Sequence, residues 1–165
     1  MLPISEDIAF RVNILSPLAS AFSVLFLYFI IVQLVNHWRG KIETNTDALI
    51  AFGAGVVGSL TFAFTDSHWF NAVEAEVYAF STFFTAIVVW LALLWSEKAD
   101  EKGNERYILI IAYMIGLATG LHLLNLLTIP FVALLIYFKK FKFEWTSFAI
   151  LVVITGLVFF IIHNV

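Results

Sequence analysis

The chain has 165 residues and a formal net charge of −3; 62% of its residues are hydrophobic, 17% aromatic and only 13% charged, with a mean hydropathy of +0.97. Soluble domains carry about 25% charged residues, so this composition excludes a small soluble globule and predicts an integral membrane protein in contact with a lipid bilayer. No basic patch with interleaved aromatics is present, which excludes a nucleic-acid partner, and the lack of cysteine excludes disulfides, thiolate metal sites and cysteine nucleophiles.

Crossing a hydrocarbon core takes about 20 apolar helical residues. Residues 14–35 form the first such run, with Pro17 in its first turn, where a missing N–H is harmless. It closes on His37, Trp38, Arg39 and Lys41, an aromatic and basic anchor of the kind found at membrane interfaces. Asn45 to Asp47 offer N-cap residues for a second run, 48–64, whose Gly53, Gly55 and Gly58 allow close approach of a neighbouring helix. A third run covers 77–95. The charged segment 96–106 reads as a solvated loop. Residues 107–138 then form a 32-residue apolar stretch interrupted by His122, Asn125, Thr128 and Pro130 and closed by Lys139, Lys140 and Lys142. A last run covers 146–162.

As one helix the 32-residue stretch would measure about 48 Å, too long for a single crossing. Charge decides in favour of two crossings that meet near His122. Eight of the nine Lys and Arg then share one side, the cytoplasmic one, and only Arg11 lies outside. The expected fold is therefore an all-α polytopic transmembrane bundle of about six spans, a single domain over residues 1–165 with both termini outside. The N-terminal segment lacks the basic start and apolar core of a cleavable signal, and its opening, M-L-P-I-S-E-D, reads as the interior of a longer chain.

That topology gathers the polar chemistry on the outer surface. Residues 66–78, D-S-H-W-F-N-A-V-E-A-E-V-Y, make a polar island between two spans, holding Asp66, His68, Asn71, Glu74, Glu76 and Tyr78. Arg11 and Asn13 precede the first span, and His122 and Asn125 mark the bend in the long stretch. Each candidate has a plain structural alternative. Asn71 and Glu74 have capping-box spacing, which would make Glu74 a helix cap. Glu76 is not explained that way, and on a helix it would sit about 200° from Glu74. Glu74 would instead share a polar stripe with Tyr78, Ser81 and Thr85. Asp66 and His68 could supply metal ligands together with the two Glu residues, whose hard oxygens suit Mg²⁺ or Mn²⁺, although the spacing matches no metal motif. Trp69 and Phe70 read as interface anchors. Arg11 reads either as a phosphate-binding group or as a snorkelling anchor. His122 and Asn125 could form an interhelical hydrogen bond or part of a site, and His163 carries no hypothesis.

Three segments, F-R-V-N-I-L-S at residues 10–16, W-F-N-A-V-E-A-E-V-Y-A-F at 69–80 and I-G-L-A-T-G-L-H-L-L-N-L-L-T-I-P at 115–130, closely resemble a family of bacterial multi-span membrane proteins. That family, long labelled a domain of unknown function, is related to an animal protein O-mannosyltransferase and resembles the GT-C glycosyltransferases. The resemblance covers nearly the whole chain. It implies an enzyme of the bacterial inner membrane that moves a sugar from a polyprenyl-phosphate carrier to a protein hydroxyl on the periplasmic face. It implies Glu74 and Glu76 as catalytic residues. It matches Arg11 and Asn13 to the family's segment before the span and His122 and Asn125 to its H-L-L-N turn; with Asp66, His68 and Tyr78 of the polar island these are the expected substrate-binding residues. No cofactor is implied, Mg²⁺ or Mn²⁺ standing only as the metal the island could hold. Family members carry a further span and an acidic outer loop before the position of Met1, so the chain is expected to be an internal part of the enzyme. The competing classes are a transporter or channel module and a non-catalytic structural subunit. Spans free of charge, with acids at the membrane edge, argue against a transporter.

Overall fold

The computed structural model describes residues 7–163. The opening M-L-P-I-S-E and the last residues lie outside these, and with them the expected placement of the termini. The described residues are helical throughout, with no strand: α1 (Ile8–Asn13), α2 (Leu15–Arg39), α3 (Asn45–Ala63), α4 (Asp66–Val73), α5 (Val77–Lys98), α6 (Glu105–Leu121), a 3-10 turn (Leu123–Leu127), α7 (Thr128–Lys140) and α8 (Trp145–His163). Among the described residues five helical segments are long and apolar enough to cross a membrane, α1 with α2 and the 3-10 turn with α7 each counting as one. The helix α6, with 17 residues, measures about 26 Å at 1.5 Å per residue. The expected all-α membrane fold is what the chain forms. It divides into two compact units, Met1–Trp90 and Leu91–Val165, with the division inside α5.

In the first unit the sequence sets each boundary locally. Asp7 caps α1 by accepting from the N–H groups of Ala9 and Phe10. Thr44 and Asp47 form a reciprocal capping box at the start of α3, satisfying N–H groups that a helix start otherwise leaves open. Gly40, at φ 98°, ends α2 in the left-handed region that favours glycine. Small residues then bring α2 and α3 together: Gly55 sits under Tyr28 and Val32, and Gly58 faces Ile31. The serines Ser16, Ser20, Ser23 and Ser59 are buried as well, the small-residue packing expected where apolar solvent supplies no hydrophobic drive between helices. Phe22, Phe26 and Phe29 of α2 meet Phe83 and Trp90 of α5, with ring centroids 5.2–6.1 Å apart.

In the second unit, the charged segment predicted as a solvated loop is held in place. The Asn104 side chain donates to the carbonyls of Ala99 and Glu101, both at 2.8 Å, and its Oδ1 accepts from the buried Trp95 indole at 3.3 Å. Lys140 donates to the Ala99 carbonyl and pairs with Asp100 at 3.4 Å, with Lys139 at 3.9 Å from the same carboxylate. The chain thus leaves this loop at Glu105 and returns to it at Lys140. Tyr137 joins the end of α7 to α8: its hydroxyl lies 2.7 Å from Ser147 Oγ and accepts from the Glu144 N–H at 3.1 Å. The helix α8 is largely exposed along its apolar length, as suits a lipid-facing span.

Candidate functional site

The polar island folds as a short helix and a linker, not as a helix start. The connection from α3 is short because Phe64 and Thr65 turn the chain, with the Thr65 N–H and hydroxyl both donating to the Phe62 carbonyl. The helix α4 begins at once and ends at Val73. Asn71 lies inside α4, and Glu74 follows its last residue in an extended conformation (φ −95°, ψ 139°). Glu74 is therefore not the N3 residue of a capping box, nor does it share a helical stripe with Tyr78, Ser81 and Thr85. The capping-box spacing misled because α4 had already used Asn71 within its own turns. Residues 74–76 form a bend between α4 and α5, and both carboxylates are exposed.

The first unit brings part of the predicted set together. Asn13, at the end of α1, donates through Nδ2 to the Val73 carbonyl at 3.1 Å, 60 residues further along the chain. This bond places the α1–α2 junction beside the residue that precedes Glu74. Arg11 Nε and Asn13 Oδ1 are both buried without a hydrogen-bond partner among the described residues. Buried polar atoms are nearly always paired, so these two are groups to which a polar ligand would be complementary. Tyr78 is exposed in the first turn of α5, and Asp66 is exposed in the first turn of α4.

His68 points the other way. It is 6% exposed, its ring 4.4 Å from that of Phe62. Burial lowers its pKa below the usual 6.5, with a hydrogen bond to the Ser20 backbone acting in the opposite sense. The imidazole is sealed against Phe62 of α3 and packs α4 onto the first unit. Among the described residues no group of three or more His, Asp or Glu is arranged to hold a metal ion. His68 is buried, whereas Asp66, Glu74 and Glu76 are exposed.

His122 and Asn125 belong to the second unit and there form the helix break. His122 is extended (φ −151°, ψ 124°) and its Nδ1 accepts from the Leu124 N–H at 3.3 Å. Asn125 is 2% exposed; its Nδ2 donates to the carbonyls of Ala118 at 2.8 Å and His122 at 3.1 Å. Thr128 donates to the Asn125 carbonyl at 2.6 Å. A broken helix inside apolar surroundings needs its freed carbonyls satisfied, and these side chains do so. Two apolar grooves of about 390 and 470 Å³ in the same unit include none of the candidate residues.

Sequence reasoning did not find the contact between Asn13 and the Val73 carbonyl, nor that between Lys140 and the Ala99 carbonyl. Both accept through backbone oxygen, which leaves no mark in residue identity. Neither a curated protein nor a solved structure matches the chain. Residues 1–145 match the family described as the protein O-mannosyl-transferase TMEM260 N-terminal domain, a span that contains every candidate residue, and the chain belongs to that family.

Proposed function

We propose that the chain is a membrane glycosyltransferase module that transfers a sugar, mannose by the family's description, from a polyprenyl-phosphate carrier to a protein hydroxyl at the outer face of a bacterial inner membrane. The observation that carries this reading is the family membership of residues 1–145. In the proposed step the acceptor hydroxyl oxygen bonds to the anomeric carbon as the bond from that carbon to the carrier phosphate oxygen breaks. Glu74 or Glu76 takes the hydroxyl proton as general base. Both stand exposed on a bend where a protein acceptor can reach them. The departing phosphate gains negative charge, and the Arg11 guanidinium, with its unpaired Nε, is a cationic donor suited to it. Asn13, two residues after that cation, bonds the Val73 carbonyl at the end of α4, directly before the linker.

Six spans are part of this proposal. The return of Lys139 and Lys140 to Asp100 supports a second crossing within residues 107–138, since both ends of the stretch meet at one loop. The break at His122 then falls at the opposite membrane face from the lysines.

The test is transfer of labelled sugar from polyprenyl phosphate to protein in membranes carrying the wild type, Glu74→Gln or Glu76→Gln. A base contributes about 10²–10⁴-fold, so one of the two variants loses at least about a hundredfold while inserting normally. Unchanged transfer in both removes the carboxylates from the reaction.

A further inference from the structure

We propose that α4 is an interfacial anchor: its Trp69–Phe70–Val73 face enters the boundary between headgroups and acyl chains of the bilayer. The helix has two unlike sides. His68 is sealed against Phe62 and α2, while Trp69, Phe70 and Val73 are 59%, 62% and 49% exposed. Residues three and four apart share one helical face, so these three side chains form one apolar surface. Phe64, just before α4, and Val77, at the start of α5, are exposed apolar residues as well.

The chain itself determines what covers this face. Only Phe64 and Thr65 separate α4 from α3, and only residues 74–76 separate it from α5. Both neighbours are long and apolar enough to cross a membrane. A helix of 8 residues tethered this closely between two spans stays at the membrane surface. An exposed indole beside an exposed phenyl ring suits the interface, where aromatic belts gather. The opposite side is fixed to the protein by His68 and by the bond from Asn13 to the Val73 carbonyl, so α4 presents its aromatic face in one orientation. This seat is independent of any catalytic role for Glu74 and Glu76.

The chain has no cysteine to remove. Single nitroxide labels at Ser67→Cys, Phe70→Cys and Val73→Cys, in protein reconstituted into phosphatidylcholine vesicles, report accessibility to oxygen and to a water-soluble nickel chelate. The expected result is a severalfold higher oxygen-to-nickel ratio at positions 70 and 73 than at 67. Equal nickel access at all three sites would place α4 in water and overturn the proposal. Exclusion of both relaxants at 70 and 73 would show protein covering the face, which overturns it equally. The conservative variant Trp69→Phe supplies a check without a label. A loss of the emission that brominated lipid quenches is expected, and an unchanged quenchable emission contradicts insertion.

Discussion

Substituting alanine at three glycines of α3 separates helix packing from helix propensity within a single helix. A Cβ on Gly55 would lie 2.7 Å from Val32 Cγ2 and 2.8 Å from Tyr28 Cδ2 and Cε2. Neither neighbour yields easily: valine is stiff at χ1, and the Tyr28 ring packs edge-on to Phe29 at 5.6 Å. Overpacking of this kind costs about 1–3 kcal/mol, against an intrinsic helix gain from Gly to Ala of about 1 kcal/mol. Gly55→Ala is therefore destabilising by up to about 2 kcal/mol. At Gly53 nothing lies within 4 Å of the added Cβ, so Gly53→Ala keeps the propensity gain of about 0.5–1 kcal/mol. Gly58→Ala meets only the flexible end of Ile31, with Cδ1 at 2.7 Å, and falls between the two. Thermal unfolding in a mild detergent should rank the variants Gly53→Ala, Gly58→Ala, Gly55→Ala from most to least stable. A Gly55→Ala protein as stable as Gly53→Ala would refute the close packing of α2 on α3.

Asn125→Leu keeps the branched shape but removes two donors at the helix break, at about 0.6 kcal/mol per membrane hydrogen bond and up to about 1.7; reduced thermal stability in detergent, with faster amide exchange near Ala118, checks it. His68 yields a pH dependence whose sign follows from its lowered pKa. The unfolded chain binds the proton more readily than the folded one, so stability is full above the ordinary value of 6.5 and is lost as pH falls toward the folded value. His68→Leu should flatten that slope, measured as melting temperature between acid and neutral pH. Tyr137→Phe removes the hydroxyl between Ser147 and Glu144, a loss of about 1–3 kcal/mol that should appear as local exchange at the α7–α8 connection.

Hydropathy and capping residues made the long helices legible. The runs at 14–35, 48–64, 77–95 and 146–162 became α2, α3, α5 and α8 with boundaries displaced by a few residues. The displacement has local causes: the cap of α3 is Thr44, one residue before the predicted group, and α2 continues through its basic anchor to Arg39. The break at His122 was visible as well, because His and Asn inside an apolar run must satisfy their polar groups. The short helices α1 and α4 were not visible. Six or eight residues carry too little periodicity to register, and α4 lacks a side-chain cap. For the same reason Glu74 was misassigned to a helix start and His68 grouped with residues that face the opposite way. Which side chains turn inward on so short a helix depends on packing against Phe62 and against α2, the latter distant in sequence. The loop at 96–106 looked solvated because its charges are mixed, whereas a carbonyl contact with Lys140 orders it.

In the proposed topology the linker of Glu74 and Glu76 lies on the outer side of the membrane and the lysine-rich segment at 139–142 on the inner side. Single cysteines at Ala75 and at Phe141, labelled in intact cells with a membrane-impermeant maleimide, test this directly. Labelling at position 75 before permeabilisation, and at 141 only after it, is the predicted result. Labelling of both from the same side would contradict the six-span topology, and protection of position 75 in intact cells would remove the carboxylates from the outer face.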